Sequence, residues 1–348
     1  MHFRLLALLG CSFLSVQAQD AVHADSLGAC HFRGLGACNK RVLWVSGTKG
    51  NVFRSTNGGT TWKAVPVSAF PRRDFRDIHA WNRRSALAMS SGDSAVIMRT
   101  RNGGKTWAPV YQNNQEGIFL DALDFHRRKG VCLGDPMPVS TSPDALRYLL
   151  LITDDAGKSW KEFWPDMPAR EGEAAFAASG SCVRYFAGTS NDHIVWITGG
   201  GPQVRMPEVL RIGPHALQNG NNTYLPLRGG PGWGAYTMTL VALRQGIILG
   251  GNYQEHQRRD SIAAWFNLDS NRFEPAHEAP GGYRSGSCYN SKHKLFFCTG
   301  TNGTDVSSDA GKQWTMFSKL GGNVCVSKGN YLWVAASKGK VYRFILRT

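Results

Sequence analysis

Three phrases in the sequence, HFRGLGA, DFRDIHA and GYRSGSC, set an arginine directly after an aromatic residue, at Arg33, Arg76 and Arg284. A guanidinium offers two parallel N–H donors that match a carboxylate or phosphate, so three of them converging would hold an anion through paired hydrogen bonds. Acids stand at nearby levels of the same units. Asp77 and Asp121 follow the opening residues of two of them, and Asp135, Glu171 and Glu173 lie in neighbouring stretches rich in turn formers. Two chemistries are open to this set. Either the acids neutralise the arginines and rigidify an anion-binding mouth, or they hydrolyse a glycoside, with Asp77, Asp121 and Glu173 as acids and Tyr283, partnered by Glu173, as nucleophile.

Other chemistries have no signal. No G-x-G-x-x-G follows a strand and opens a helix, which argues against a dinucleotide, and no cofactor is expected. The ten histidines lack H-x-x-x-H spacing and no two cysteines form C-x-x-C, so no metal site is expected. Forty Lys+Arg against 25 Asp+Glu give a formal charge of +15, which favours anionic partners, yet no block of like charge marks a dedicated tract.

Residues 1–18, MHFRLLALLGCSFLSVQA, combine a basic start, a short apolar run and a small-residue cleavage site, the pattern of a secretory signal peptide. The mature chain is therefore expected to be secreted or periplasmic. An alternative has Cys11 acylated as a lipoprotein anchor. Export also argues against nucleic acid as a partner. Seven cysteines follow residue 18, an odd number, so at least one thiol stays unpaired. Cys288 with Cys298, across a hairpin, and Cys30 with Cys38, across a short loop, are candidate pairs; Cys182 and Cys325 read as buried thiols.

The elements that place these residues are read from an octet that occurs four times: STNGGTTW from Ser55, TRNGGKTW from Thr100, TDDAGKSW from Thr153 and SSDAGKQW from Ser307. Its Ser/Thr and Asn/Asp bond nearby backbone, Gly supplies positive φ, and Trp adds an apolar plate, so each octet is a turn that fastens a hairpin. Strand-like runs such as VLWVSGTKGNVFRS precede the octets, and the spacing of about 50 residues is that of a four-stranded propeller blade. Seven units open with HFRGLGA, DFRDIHA, IFLDALDF, AAFAASGS, AYTMTLVA, GYRSGSC and GGNVCVS. The fold expected is all-β, a single seven-bladed β-propeller over residues 19–348. Its last blade borrows an outer strand from the N-terminal segment. Closure removes exposed sheet edges, and a monomer is expected. Pro136 to Arg147, Asp166 to Glu173 and Gly199 to Trp233 read as loops above one face.

The octets resemble the Asp-box, or BNR, repeats of sialidases and other propellers. Together with LGDP at Leu133 to Pro136, GEAAFAASGSC at Gly172 to Cys182 and GGYRS at Gly281 to Ser285, they make nearly the whole mature chain similar to the photosystem II assembly and stability factor-like propellers. That resemblance implies a non-enzymatic protein that binds a membrane-protein subunit through a face with clustered arginines. A sialidase would need Arg-Ile-Pro before its first Asp-box, where HFRGLG has Gly-Leu instead. Binding of a protein or anionic ligand at the channel mouth is therefore the expected function, with glycoside hydrolysis as the alternative.

Overall fold

The computed structural model describes residues 26–347 except 93, 140, 141, 189, 214, 215 and 243. Its described residues form antiparallel sheets and no helix. Six sheets have four strands each, over residues 32–64, 74–113, 120–163, 183–228, 234–275 and 286–318, and a seventh, 324–345, has three. Each sheet runs in chain order from an inner to an outer strand, and the inner strands surround one axis: the protein is a seven-bladed β-propeller. The inner strands are Phe32–Ala37, Asp74–Ala80, Leu120–His126, Val183–Ala187, Gly234–Ala242, Gly286–Asn290 and Val324–Lys328. Second strands such as Leu43–Gly47 and Leu295–Gly300 are buried on both faces between neighbouring blades, whereas that of blade four, Asp192–Trp196, is buried only from Ile194 onward.

The N-terminal segment joins the last blade. Ser26 bridges Lys340, the Leu27 amide donates to Gly339 O at 2.8 Å, and the Gly339 amide donates to Cys30 O at 2.7 Å. Strand pairing of the segment with the last blade is thus seen at this one bridge. The signal-peptide stretch 1–18 and Cys11 lie outside the described residues.

The octets are turns with one shared bonding scheme. The first hydroxyl donates to the Asx side chain two residues on and accepts the amide four residues on, as in Ser307 Oγ to Asp309 Oδ1 at 2.8 Å and Gly311 N to Ser307 Oγ at 3.0 Å. Ser55, Thr100 and Thr153 repeat both bonds. The glycine at the fifth position then presses on the preceding blade, since a Cβ on Gly104 would lie 2.5 Å from Val65 and one on Gly311 2.4 Å from Ile247. Third-strand arginines reach across the same junctions: Arg343 donates to Gly58 O at 3.2 Å, and Arg54 to Gly103 O at 3.0 Å. The octets therefore clasp blade to blade, at the junctions seven–one, one–two, two–three and five–six.

Two of the three expected loops are largely strand. Pro136–Val139 and Ser142–Arg147 belong to the second and third strands of blade three, and Gly199 to Trp233 contains Gln203–Arg211 and Leu217–Arg228. The run QNGNN lies on an outer strand, bonded on one side only, where turn-forming residues cost little.

Candidate functional site

The mouth of the channel is the end where the inner strands begin; the octets lie at the opposite end. Here Arg33 and Arg76, each one residue past a fully buried phenylalanine, come together. A β-bulge marks both positions: the pairing register shifts between Phe32 and Gly34 and between Phe75 and Asp77, so each arginine is the extra, unpaired residue beside a phenylalanine that fills the space between blades. Arg76 donates from Nε to Asp74 Oδ2 at 2.8 Å and lies over the Phe119 ring at 5.7 Å. Arg33 is half-buried and makes no hydrogen bond or ion pair with the described residues. Burial and the like charge of Arg76 pull its guanidinium pKa below the usual value. An aromatic wall stands beside it, in which Phe176 stacks on Tyr236 at 4.0 Å and Tyr236 meets Tyr283 edge-on at 4.8 Å. Burial pushes both phenols upward, so they stay neutral.

Arg284 is not part of this pair. It is fully buried, with its Nε 2.6 Å from Asp305 Oδ2, a second contact from Nη2 to the same oxygen, and Nη1 bonded to Asn302 Oδ1 at 2.6 Å and Tyr283 O at 2.8 Å. The reason is phase. GYRS is the lead-in to its blade, and the inner strand starts only at Gly286, so Arg284 turns outward to the third strand. AAFAASGS is likewise a lead-in, and the inner strand of blade four is VRYFA.

The acids separate into distinct settings. Asp77 is buried in the channel wall, where its oxygens accept the amides of Ile78 at 2.7 Å and Leu123 at 2.6 Å; burial nonetheless raises its pKa to about 7. Asp121 is fully buried and neither oxygen closes a hydrogen bond, although the Ala177 amide leans toward it; burial, then the neighbouring Asp135, push its pKa well upward. Asp135 accepts the Ala175 amide at 2.9 Å, and burial lifts it to about 6. Glu173 is locked on Arg205, with Oε1 2.9 Å from Nε and a further contact to Nη2, and accepts the Arg170 amide at 2.8 Å. Glu171 is exposed. No hydrogen bond links Tyr283 to Glu173 among the described residues, so the nucleophile pair expected from the sequence is not assembled. Among the described residues no cluster of three or more His, Cys, Asp or Glu is arranged to hold a metal.

Arg205 and Asp305 carry no sequence signal: each sits on a strand distant from its partner, and no local motif marks it.

A pH dependence follows from the buried acids. A carboxyl ionises at about pH 4 in an unfolded chain, whereas Asp135 and Asp77 hold their protons to about 6 and 7 here. Stability from these groups is complete below the unfolded value and is lost as pH rises through the folded ones. The melting temperature should fall between pH 5 and pH 8, and Asp121→Asn should make that fall shallower. An Asp121→Asn profile parallel to wild type would show that this carboxyl takes no part.

Below the mouth, the channel widens into a cavity of about 570 Å³ lined by all seven blades. Hydroxyls bridge three blades along its wall: Ser181 to Thr237 at 2.7 Å, then Thr237 to Ser287 at 2.7 Å. Arg184 stands among Asp77, Asp124 and the carbonyls of Val183 and Met238.

No protein-family model and no curated protein sequence matches this chain. Solved structures do match in fold. One described as YCF48 bound to D1 peptide shares 12% identity at a TM-score of 0.60, over 95% of this chain and 98% of that one. YCF48 from Cyanidioschyzon merolae shares 14% at 0.60, covering 94% and 99%. The WD40 beta propeller domain of Doa1 shares 10% at 0.61, covering 96% and 98%. At such identities the likeness is one of fold.

Proposed function

We propose that this chain is an exported, non-enzymatic propeller that binds an anionic group, on a protein partner or a free ligand, at the mouth carrying Arg33 and Arg76. The observation that carries the reading is Arg33 itself, a half-buried guanidinium with no hydrogen bond or ion pair among the described residues, which feels Asp74 only at a distance while Asp74 pairs directly with Arg76, and which stands beside an aromatic wall. A pre-positioned, partly dehydrated guanidinium of this kind gains more from an arriving carboxylate or phosphate than exposed arginines do. The acids of the hydrolase alternative favour binding: Glu173 is neutralised by Arg205, and Asp77 is tied to two amides. The propeller of the same fold whose description includes a bound D1 peptide is consistent with peptide recognition. Export rests on residues 1–18, and the octets are read as Asp-box repeats that hold the ring rather than act on a ligand.

The test is fluorescence polarisation with a fluorescein-labelled oligoglutamate peptide. Wild type should bind in a salt-sensitive manner. Arg33→Ala and Arg76→Ala should each weaken binding by roughly tenfold or more, the value of a charge-assisted hydrogen bond, while Arg84→Ala, in an exposed hairpin at the opposite end, leaves it unchanged. Equal affinity in all four proteins would overturn the reading, as would turnover of aryl glycosides or sialosides that disappears in Glu173→Gln.

A further inference from the structure

The cysteine pairs suggested by sequence proximity are not the ones the fold brings together. Cys288 pairs across the hairpin with Phe297, and Cys298 with Ser287, so the two cysteines are one register step apart and face opposite sides of the sheet. Cys30 and Cys38 stand at opposite ends of the strand Phe32–Ala37, in separate core clusters.

A different neighbour lies next to Cys288. The inner strands of blades six and seven run side by side, and two contacts fix their alignment. A Cβ on Gly286 would lie 2.8 Å from Val324 Cα, and Asn290 donates from Nδ2 to Ser327 Oγ at 2.7 Å. Between those two points Cys288 is set against Cys325. The Cys325 sulfur lies 4.0 Å from the carbonyl oxygen of Phe297, the cross-strand partner of Cys288, and Cys288 packs against the core cluster that holds Cys325. Both line the central cavity; Cys288 is half-buried there and Cys325 is 2% exposed.

We propose that Cys288 and Cys325 are a modification site, a dithiol that forms an inter-blade disulfide by exchange with an oxidised dithiol protein or glutathione disulfide reaching the channel. The thiolate of Cys288, the more accessible sulfur, attacks one sulfur of the incoming disulfide and releases the other as a thiol. Cys325, a buried thiol, then attacks Cys288 Sγ as its proton passes to the departing sulfur, which leaves as the second thiol. Two protein thiols become one disulfide, and the incoming disulfide is reduced to two thiols, so atoms and electrons balance. The bond would staple blades six and seven, a junction with no octet clasp. It is independent of what binds at the mouth.

The experiment uses the full chain, incubated either with glutathione disulfide or with reductant, alkylated in denaturant, digested without reduction and mapped by mass spectrometry. The expected result is a cross-linked pair of peptides containing Cys288 and Cys325 in the oxidised sample only, together with a melting temperature raised by roughly 3–8 °C. Cys288→Ser and Cys325→Ser should each abolish the cross-link and the rise, while Cys298→Ser keeps both. Full alkylation of Cys288 and Cys325 in the oxidised sample would overturn the proposal, as would a disulfide joining either of them to another cysteine.

Discussion

Asp305→Ala should destabilise the protein by about 3–5 kcal/mol, the range for removing one partner of a buried ion pair. Arg284 has no exposed surface, and Asp305 supplies the contacts to its Nε and Nη2. With the carboxylate gone, Asn302 and the Tyr283 carbonyl still bond Nη1, but the positive charge is left without a counter-charge in a dry setting. A guanidinium cannot escape by losing its proton. The penalty must then appear as unfolding or as rearrangement of the lead-in to blade six. The comparison that isolates the charge is the double variant Arg284→Met with Asp305→Leu, which removes both ions and keeps the volume apolar. It should recover most of the loss. Urea denaturation of the three proteins measures this. A single Asp305→Ala variant within about 1 kcal/mol of wild type would mean that the pair contributes little.

The second large effect is expected at Gly180. Its φ of 66° lies in the left-handed region, and an added Cβ would stand 2.1–2.3 Å from the carboxyl atoms of Asp77. Those atoms have little room to retreat, because Ile78 and Leu123 donate to them from two inner strands. Gly180→Ala must therefore break amide bonds in a buried wall in addition to straining its own backbone, together about 3 kcal/mol or more. Adding Asp77→Ser, which shortens the obstructing side chain, should cost less on the Gly180→Ala background than on wild type. Strict additivity in that cycle, measured by urea denaturation, would show that the two residues do not collide.

The architecture was open to sequence reading for a physical reason. Each octet specifies its own turn through bonds spanning four residues, so its spacing reports the blade repeat directly. Blades four and five have no octet, and there the phase was harder to see. AAFAASGS alternates small and apolar residues as a strand would, yet it is the approach to VRYFA. The candidate site divides in the same way. Arg33 and Arg76 each follow an aromatic residue that marks the start of a strand, which is legible, whereas the bulge that takes each of them out of the ladder has no sequence mark. Arg284 follows the same wording but precedes its strand, and its partner Asp305 is chosen by tertiary packing. The Cys288–Cys325 contact shows the same limit, because neighbours around a ring are distant along the chain.

The clasps also have a direction and an uneven distribution. Each octet grips the blade before it, and the junctions three–four, four–five and six–seven have no such grip. A ring fastened in this way does not share load equally around its circumference. Around blade four charge takes the place of the clasp: Lys129 meets Asp192 at 2.6 Å across junction three–four, and Arg244 meets Glu208 at 3.6 Å across junction four–five, so this arc of the ring is the one whose fastening salt can weaken. That arc also carries the long outer hairpin Gln203–Arg228 and the lead-in bearing Glu173, so the longest strands of the ring stand where its fastening is ionic.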